Sequence, residues 1–83
     1  MTIKNRLGLH ARAAAKLVKA AGEYQADIKL VKNGEEADAR SVLSLISLGC
    51  PYDTKVMLKA QGIDADVAVV ALSNLIQSGF GEE

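Results

Sequence analysis

Tryptophan is absent from this 83-residue chain, and the only aromatic residues are Tyr24, Tyr52 and Phe80. A surface that stacks on bases needs more rings than that. A net charge is missing too. Ten basic side chains balance ten acidic ones, so the chain lacks the cationic excess of a bulk nucleic-acid binder, and no nucleic-acid partner is expected. The single cysteine, Cys50, has no partner for an intramolecular disulfide. That suits a cytoplasmic compartment. Cys50 reads as a small semi-buried residue, with a reactive thiol as the other reading. One histidine and one cysteine far apart in sequence do not make a metal site, and no metal or cofactor is expected. No apolar run approaches the length of a membrane span, and no secretory leader is visible.

What remains is a chain rich in Ala, Leu, Val and Ile, with 49% hydrophobic residues. Its length fits one domain, residues 1–83, expected to be a monomer. A chain this short buries only about 60–65% of its unfolded surface, so its stability is modest.

The periodicities divide the chain cleanly. Met1 to Lys4 has room for a first strand, and Asn5 to Gly8 reads as a loop. A helix is expected over Ala11–Ala21, stopping at Gly22, with Ala14, Leu17, Val18 and Ala21 on its apolar face. Arg12, Lys16 and Lys19 form a basic stripe on another face, either plain solvated surface or a docking site. Ala26 to Lys32 reads as a strand with Ile28 and Leu30 on one side. Asn33-Gly34 is a hairpin turn, and Glu35 to Ala39 returns with Ala37 and Ala39 facing in. Ser41 is placed to cap a short helix that ends before Gly49. Five of that helix's seven positions are apolar: Val42, Leu43, Leu45, Ile46 and Leu48. Leu45 and Leu48 suit the core. Val42, Leu43 and Ile46 lie elsewhere, either covered by a loop or left exposed as a partner site. After a turn at Pro51-Tyr52-Asp53, Lys55 to Ala60 is the last strand, with Val56, Leu58 and Ala60 inward. Asp64 is expected to cap the final helix, whose apolar face is Ala68, Ala71, Leu72, Leu75 and Ile76. Gly79 ends it, and residues 80–83 form a short tail. The order is strand, helix, strand, strand, helix, strand, helix. This is an α+β sandwich, its sheet covered by helices on one face.

The chemistry concentrates at one point. His10, the only histidine, stands where the first helix starts. The first amides of a helix lack partners within it and carry the positive end of its dipole. An anion attached there meets free N–H donors, and Arg12 can add a charge-assisted bond. One imidazole, one helix start and one guanidinium describe a place to hold a phosphate.

The run Asn5-Arg6-Leu7-Gly8-Leu9-His10-Ala11-Arg12 resembles the active-site loop of the HPr family, the histidine phosphocarriers of the bacterial phosphotransferase system. Arg40-Ser41-Val42-Leu43 is similar to that family's regulatory-serine segment. Ser41–Gly49, and Ser78-Gly79-Phe80 with its acidic end, look most like the nitrogen-related NPr branch. The resemblance covers nearly the whole chain. It implies an open-faced sandwich of four antiparallel strands and three helices. It also implies that His10 accepts a phosphoryl group on Nδ1 from phosphorylated Enzyme I and donates it to an EIIA domain, with Arg12 stabilising the phosphate. Ser41 matches the serine modified by HPr kinase/phosphorylase in some bacteria. Lys16, Lys19, Val42, Leu43 and Ile46 then become docking residues. The chain departs from the family at Ala13, where proline is usual. Alanine forms helix well and keeps an extra amide.

A rival reading is a regulatory binding module of the same fold that no longer carries phosphate; His10 and Arg12 speak against it. A standalone enzyme would need a second catalytic group beside the histidine, and the sequence offers none.

Overall fold

The computed structural model describes residues 1–82. Helix α1 spans Ala11–Ala21, as its alanine-rich run predicts. It buries Ala13, Ala14, Leu17 and Ala21. Strands β1 (Asp27–Lys32) and β2 (Glu35–Asp38) form the expected hairpin, with Lys32 opposite Glu35. Its turn puts Asn33 at φ 49 and Gly34 at φ 81. Positive φ at both central residues is what a tight hairpin twist requires. Helix α2 covers Val42–Leu48, β3 covers Met57–Gln61 and α3 covers Ala65–Gln77. A short 3-10 turn, Gly79–Gly81, follows α3.

The sheet is antiparallel in the order β2-β1-β3. Leu30 sits opposite Ala37 on one side and Leu58 on the other. Ile28, Leu30 and Ala37 are buried beneath the helices, with Leu58 and Ala60 half-buried beside them. The other face carries polar side chains, including an ion pair between Lys59 and Glu36. Period-two alternation of this kind is the mark of a sheet with one wet face.

Three expectations need correction. Among the described residues the sheet has three strands, not four. Residues Met1–Ile3 do run alongside Asp53–Val56, with Ile3 N–H donating to the Thr54 carbonyl at 2.9 Å and Val56 N–H to the Met1 carbonyl at 2.8 Å. Only Thr2 and Lys55 make a bridge, however. The loop from Asn5 cuts the pairing short on one side, and the turn at Asp53, with φ 74, cuts it on the other. The last strand accordingly begins at Met57 rather than Lys55. The second correction concerns Asp64, which makes no side-chain cap to α3. Its two carboxylate oxygens instead accept from the amides of Gln25 and Ala26, each at 2.8 Å, tying the α1–β1 loop to the start of α3. The third is Phe80. Read from the sequence as the start of a short tail, it is among the largest fully buried side chains.

Candidate functional site

The loop before α1 is held by its own backbone. Gly8 N–H donates to the Asn5 carbonyl at 3.0 Å, and His10 N–H to the Gly8 carbonyl at 2.9 Å. Leu9 is buried, and its N–H reaches the Cys50 carbonyl at 2.8 Å. Gly8 has φ 68, and a Cβ there would lie 2.7 Å from both the Cys50 carbonyl oxygen and the Pro51 Cα. Only glycine permits this approach.

His10 is the N-cap of α1, with extended backbone dihedrals. A helix that begins at Ala11 leaves the amides of Ala11, Arg12 and Ala13 without acceptors inside it. The Arg12 amide points at His10 Nδ1, 3.3 Å away. The other ring nitrogen faces the far end of the chain. Nε2 lies 2.9 Å from Glu82 Oε2 and 3.1 Å from Oε1. The two side chains are 22% and 19% exposed, so the ring is shielded yet reachable.

The segment around Glu82 is firmly held. Phe80 anchors it in the core, in a left-handed conformation at φ 59. Lys16 Nζ donates to the Phe80 carbonyl at 2.8 Å. Asn5 is fully buried, and its Nδ2 donates both to the Gly8 carbonyl at 2.6 Å and to Glu82 Oε1 at 3.0 Å. One amide thus joins the histidine loop to the chain's last turn. Asn5 Oδ1 has no hydrogen-bond partner among the described residues. Burial, the strongest single influence, pushes the Glu82 carboxyl up. The hydrogen bonds from Asn5 and His10, with the charges of His10 and Lys16, outweigh it and hold the group below its ordinary value.

Beside the ring lies an open cleft of about 600 Å³, lined by Arg6, Leu7, Arg12, Lys16, Gly81 and Glu82. Three cations against one carboxylate make it attractive to an anion. Arg12 is exposed, as the sequence implied. Lys16 is not merely part of a solvated stripe, since its ammonium secures the Phe80 turn; Lys19 is exposed.

Ser41 caps α2, its Oγ accepting from the Ser44 amide at 3.1 Å. Leu45 and Leu48 are buried, while Leu43 is 75% and Ile46 42% exposed. Val42 is half-buried and packs against the core, at the edge of the patch that Leu43 and Ile46 expose. Helices α1 and α2 pack against each other. Cys50 is buried, and that burial pushes its thiol up, with Lys32 opposing. It therefore reads as a packing residue.

Asn5, Arg6, Leu7 and Glu82 are the site residues that the sequence did not single out. Asn5, Arg6 and Leu7 lay within the quoted loop but carried no assigned role. Glu82 lay in the acidic end noted for its likeness to the NPr branch, and nothing there tied it to His10.

One imidazole at a helix start, beside a cationic cleft, is an arrangement that can hold a phosphoryl group. Comparison with known proteins agrees. The family model described as the PTS HPr component phosphorylation site matches residues 1–78. Phosphocarrier protein HPr of Cupriavidus necator is 42% identical over 98% of this chain and 91% of its own. Phosphocarrier protein NPr of Shewanella violacea is 43% identical over 99% of this chain and 90% of its own. A crystal structure of HPr-C-His from Thermoanaerobacter tengcongensis matches with a TM-score of 0.95 at 41% identity, covering 100% of this chain and 93% of that one. The chain belongs to the HPr family, the phosphocarriers of the phosphotransferase system.

Proposed function

We propose that His10 is the phosphoryl acceptor, taking the group on Nδ1 from phosphorylated Enzyme I and passing it to an EIIA domain. The observation that carries this reading is the aim of the ring: Nδ1 faces the Arg12 amide in the first turn of α1, and a cleft bearing Arg6, Arg12 and Lys16 lies nearby. A phosphate on Nδ1 would take the Arg12 amide as a donor, and the Arg12 guanidinium would balance its charge. The full-length match to relatives named as phosphocarriers favours transfer over a module that only binds.

The partners dock, on this reading, over the exposed apolar side chains Leu43 and Ile46, with Val42 at the patch's edge. Lys16 and Lys19 supply the surrounding positive charge. An apolar centre ringed by cations suits an acidic partner face. Ser41 is a regulatory site: a phosphate there would add nearly two negative charges beside the patch and penalise docking. On this reading the protein acts in the cytoplasm.

The test is phosphorylation with Enzyme I and labelled phosphoenolpyruvate. One phosphate per chain is expected, stable in alkali and lost in acid, and none on His10→Ala. A His10→Ala protein that labels as well as wild type would overturn the assignment.

A further inference from the structure

We infer that Glu82 is a positioning residue for the transfer, fixing which nitrogen of His10 is free to react. The inference rests on the reading of His10 as acceptor and adds a role for the last turn of the chain.

A neutral imidazole carries one proton, on Nδ1 or on Nε2. Two neighbours decide which. A carboxylate can only accept, so Glu82 at 2.9 Å requires the proton on Nε2. The Arg12 amide can only donate, so it requires a bare lone pair on Nδ1. Both contacts select one tautomer, and it is the one whose Nδ1 is a nucleophile. A ring nitrogen held by a carboxylate also fixes the orientation of the ring.

The carboxylate is delivered by built structure. Phe80 is buried, Lys16 Nζ holds the Phe80 carbonyl and Asn5 Nδ2 holds Oε1. The Glu82 N–H also donates to the Gly79 carbonyl at 3.0 Å, closing the turn that aims its side chain.

The same contact serves the chemical step. The Nδ1 lone pair forms a bond to phosphorus, and the bond from phosphorus to the donor breaks, its electron pair leaving with the donor. Nε2 keeps its proton, so the ring becomes a phosphoimidazolium. Its positive charge faces the Glu82 carboxylate. The Arg12 amide is released from Nδ1 and becomes available to a phosphate oxygen. In the onward step the N–P bond breaks, its electrons return to Nδ1, and the neutral tautomer already favoured by Glu82 is restored. No proton has to leave the ring in either direction.

The experiment records ring nitrogen-15 spectra of His10 across a pH series, reads the tautomer from the spectra that show a singly protonated ring, and measures transfer rates from phosphorylated Enzyme I. Wild type is expected to show the Nε2–H tautomer alone. Glu82→Ala is expected to show both tautomers and to accept phosphate about tenfold more slowly, near the lower end for losing a residue that orients a functional histidine. Glu82→Gln, whose amide carbonyl can still accept from Nε2–H, is expected to recover the single tautomer. The amide spectrum of each variant verifies its fold. A folded Glu82→Ala protein with the wild-type ring spectrum and rate overturns the inference and leaves the His10 assignment standing. Failure of wild type to label at His10 overturns the underlying reading instead.

Discussion

The starts of α1 and α2 use the same device for opposite ends. Each helix begins with a side chain that accepts from an orphan amide: His10 Nδ1 from Arg12 and Ser41 Oγ from Ser44. At α2 the serine bond is an ordinary 3.1 Å, and Leu43 and Ile46 beyond it are apolar and exposed. At α1 the contact is a long 3.3 Å, and the cap's other nitrogen is held by a carboxylate from the far end of the chain. A serine cap contributes to stability and asks for nothing else. A histidine cap with a loose amide and a second anchor can give that amide to an incoming group. The comparison teaches that a helix start becomes a site through what surrounds the cap, since the orphan amides are common to both.

Arg12→Ala should widen the contrast most. Transfer from Enzyme I should slow by about 100-fold, the lower end of what is lost with one preorganised donor to a developing anion. The melting temperature should stay within a few degrees of wild type, because Arg12 is exposed. A large loss of stability with normal transfer would assign Arg12 to the fold. Next comes Leu43→Glu at the other helix. It should weaken Enzyme I binding by about 1–3 kcal/mol, as for a moderate interface hot spot, with no loss of labelling at saturating Enzyme I. Titration followed by amide shifts would measure it, and silence across α2 would remove the patch from the docking surface.

Ser41→Ala should cost about 1 kcal/mol of stability, the usual cost of a lost cap, and leave transfer nearly unchanged. Ser41→Asp should keep the fold, since a helix start tolerates negative charge, while slowing transfer. Chemical denaturation and labelling kinetics separate the two. The smallest effect belongs to the third helix start. The Gln25 amide is the main influence holding the Asp64 carboxyl below its usual range, with Ala26 and Arg40 helping and burial opposing. A lowered carboxyl binds fewer protons folded than unfolded. Its contribution to stability is therefore present above the ordinary carboxylate range and lost as pH falls through the lowered value. Melting curves between about pH 5 and 2 should fall less steeply for Asp64→Asn than for wild type.

Local pattern made much of this legible. The helical run after His10 placed α1, and Asn33-Gly34 placed the hairpin. The resemblance in the loop and around Ser41 pointed to the family, and the residue pattern itself had placed Ser41 as a cap and His10 at a helix start. What escaped was non-local. Glu82 meets His10 across 72 positions, and nothing in its own neighbourhood ties it to that ring. Asp64 looked like a cap because capping is the commonest local use of such a residue, yet two amides nearly forty positions away outbid α3's own. The first strand failed for a related reason: its partner segment turns at Asp53, and a strand's length depends on both sides.

The close approach at Gly8 makes the histidine loop a fitted part rather than a portable motif. With the Cys50 carbonyl and the Pro51 Cα each 2.7 Å from where a methyl group would sit, the loop rests against that segment with no clearance. How far the imidazole projects from the body of the protein is therefore set by the thickness of one backbone against another. A graft of residues 5–12 onto a different scaffold would carry the right letters and lose the seat. To reproduce the reach of the ring, the host must also supply the Cys50-Pro51 backbone, at the same depth, to receive the Leu9 amide.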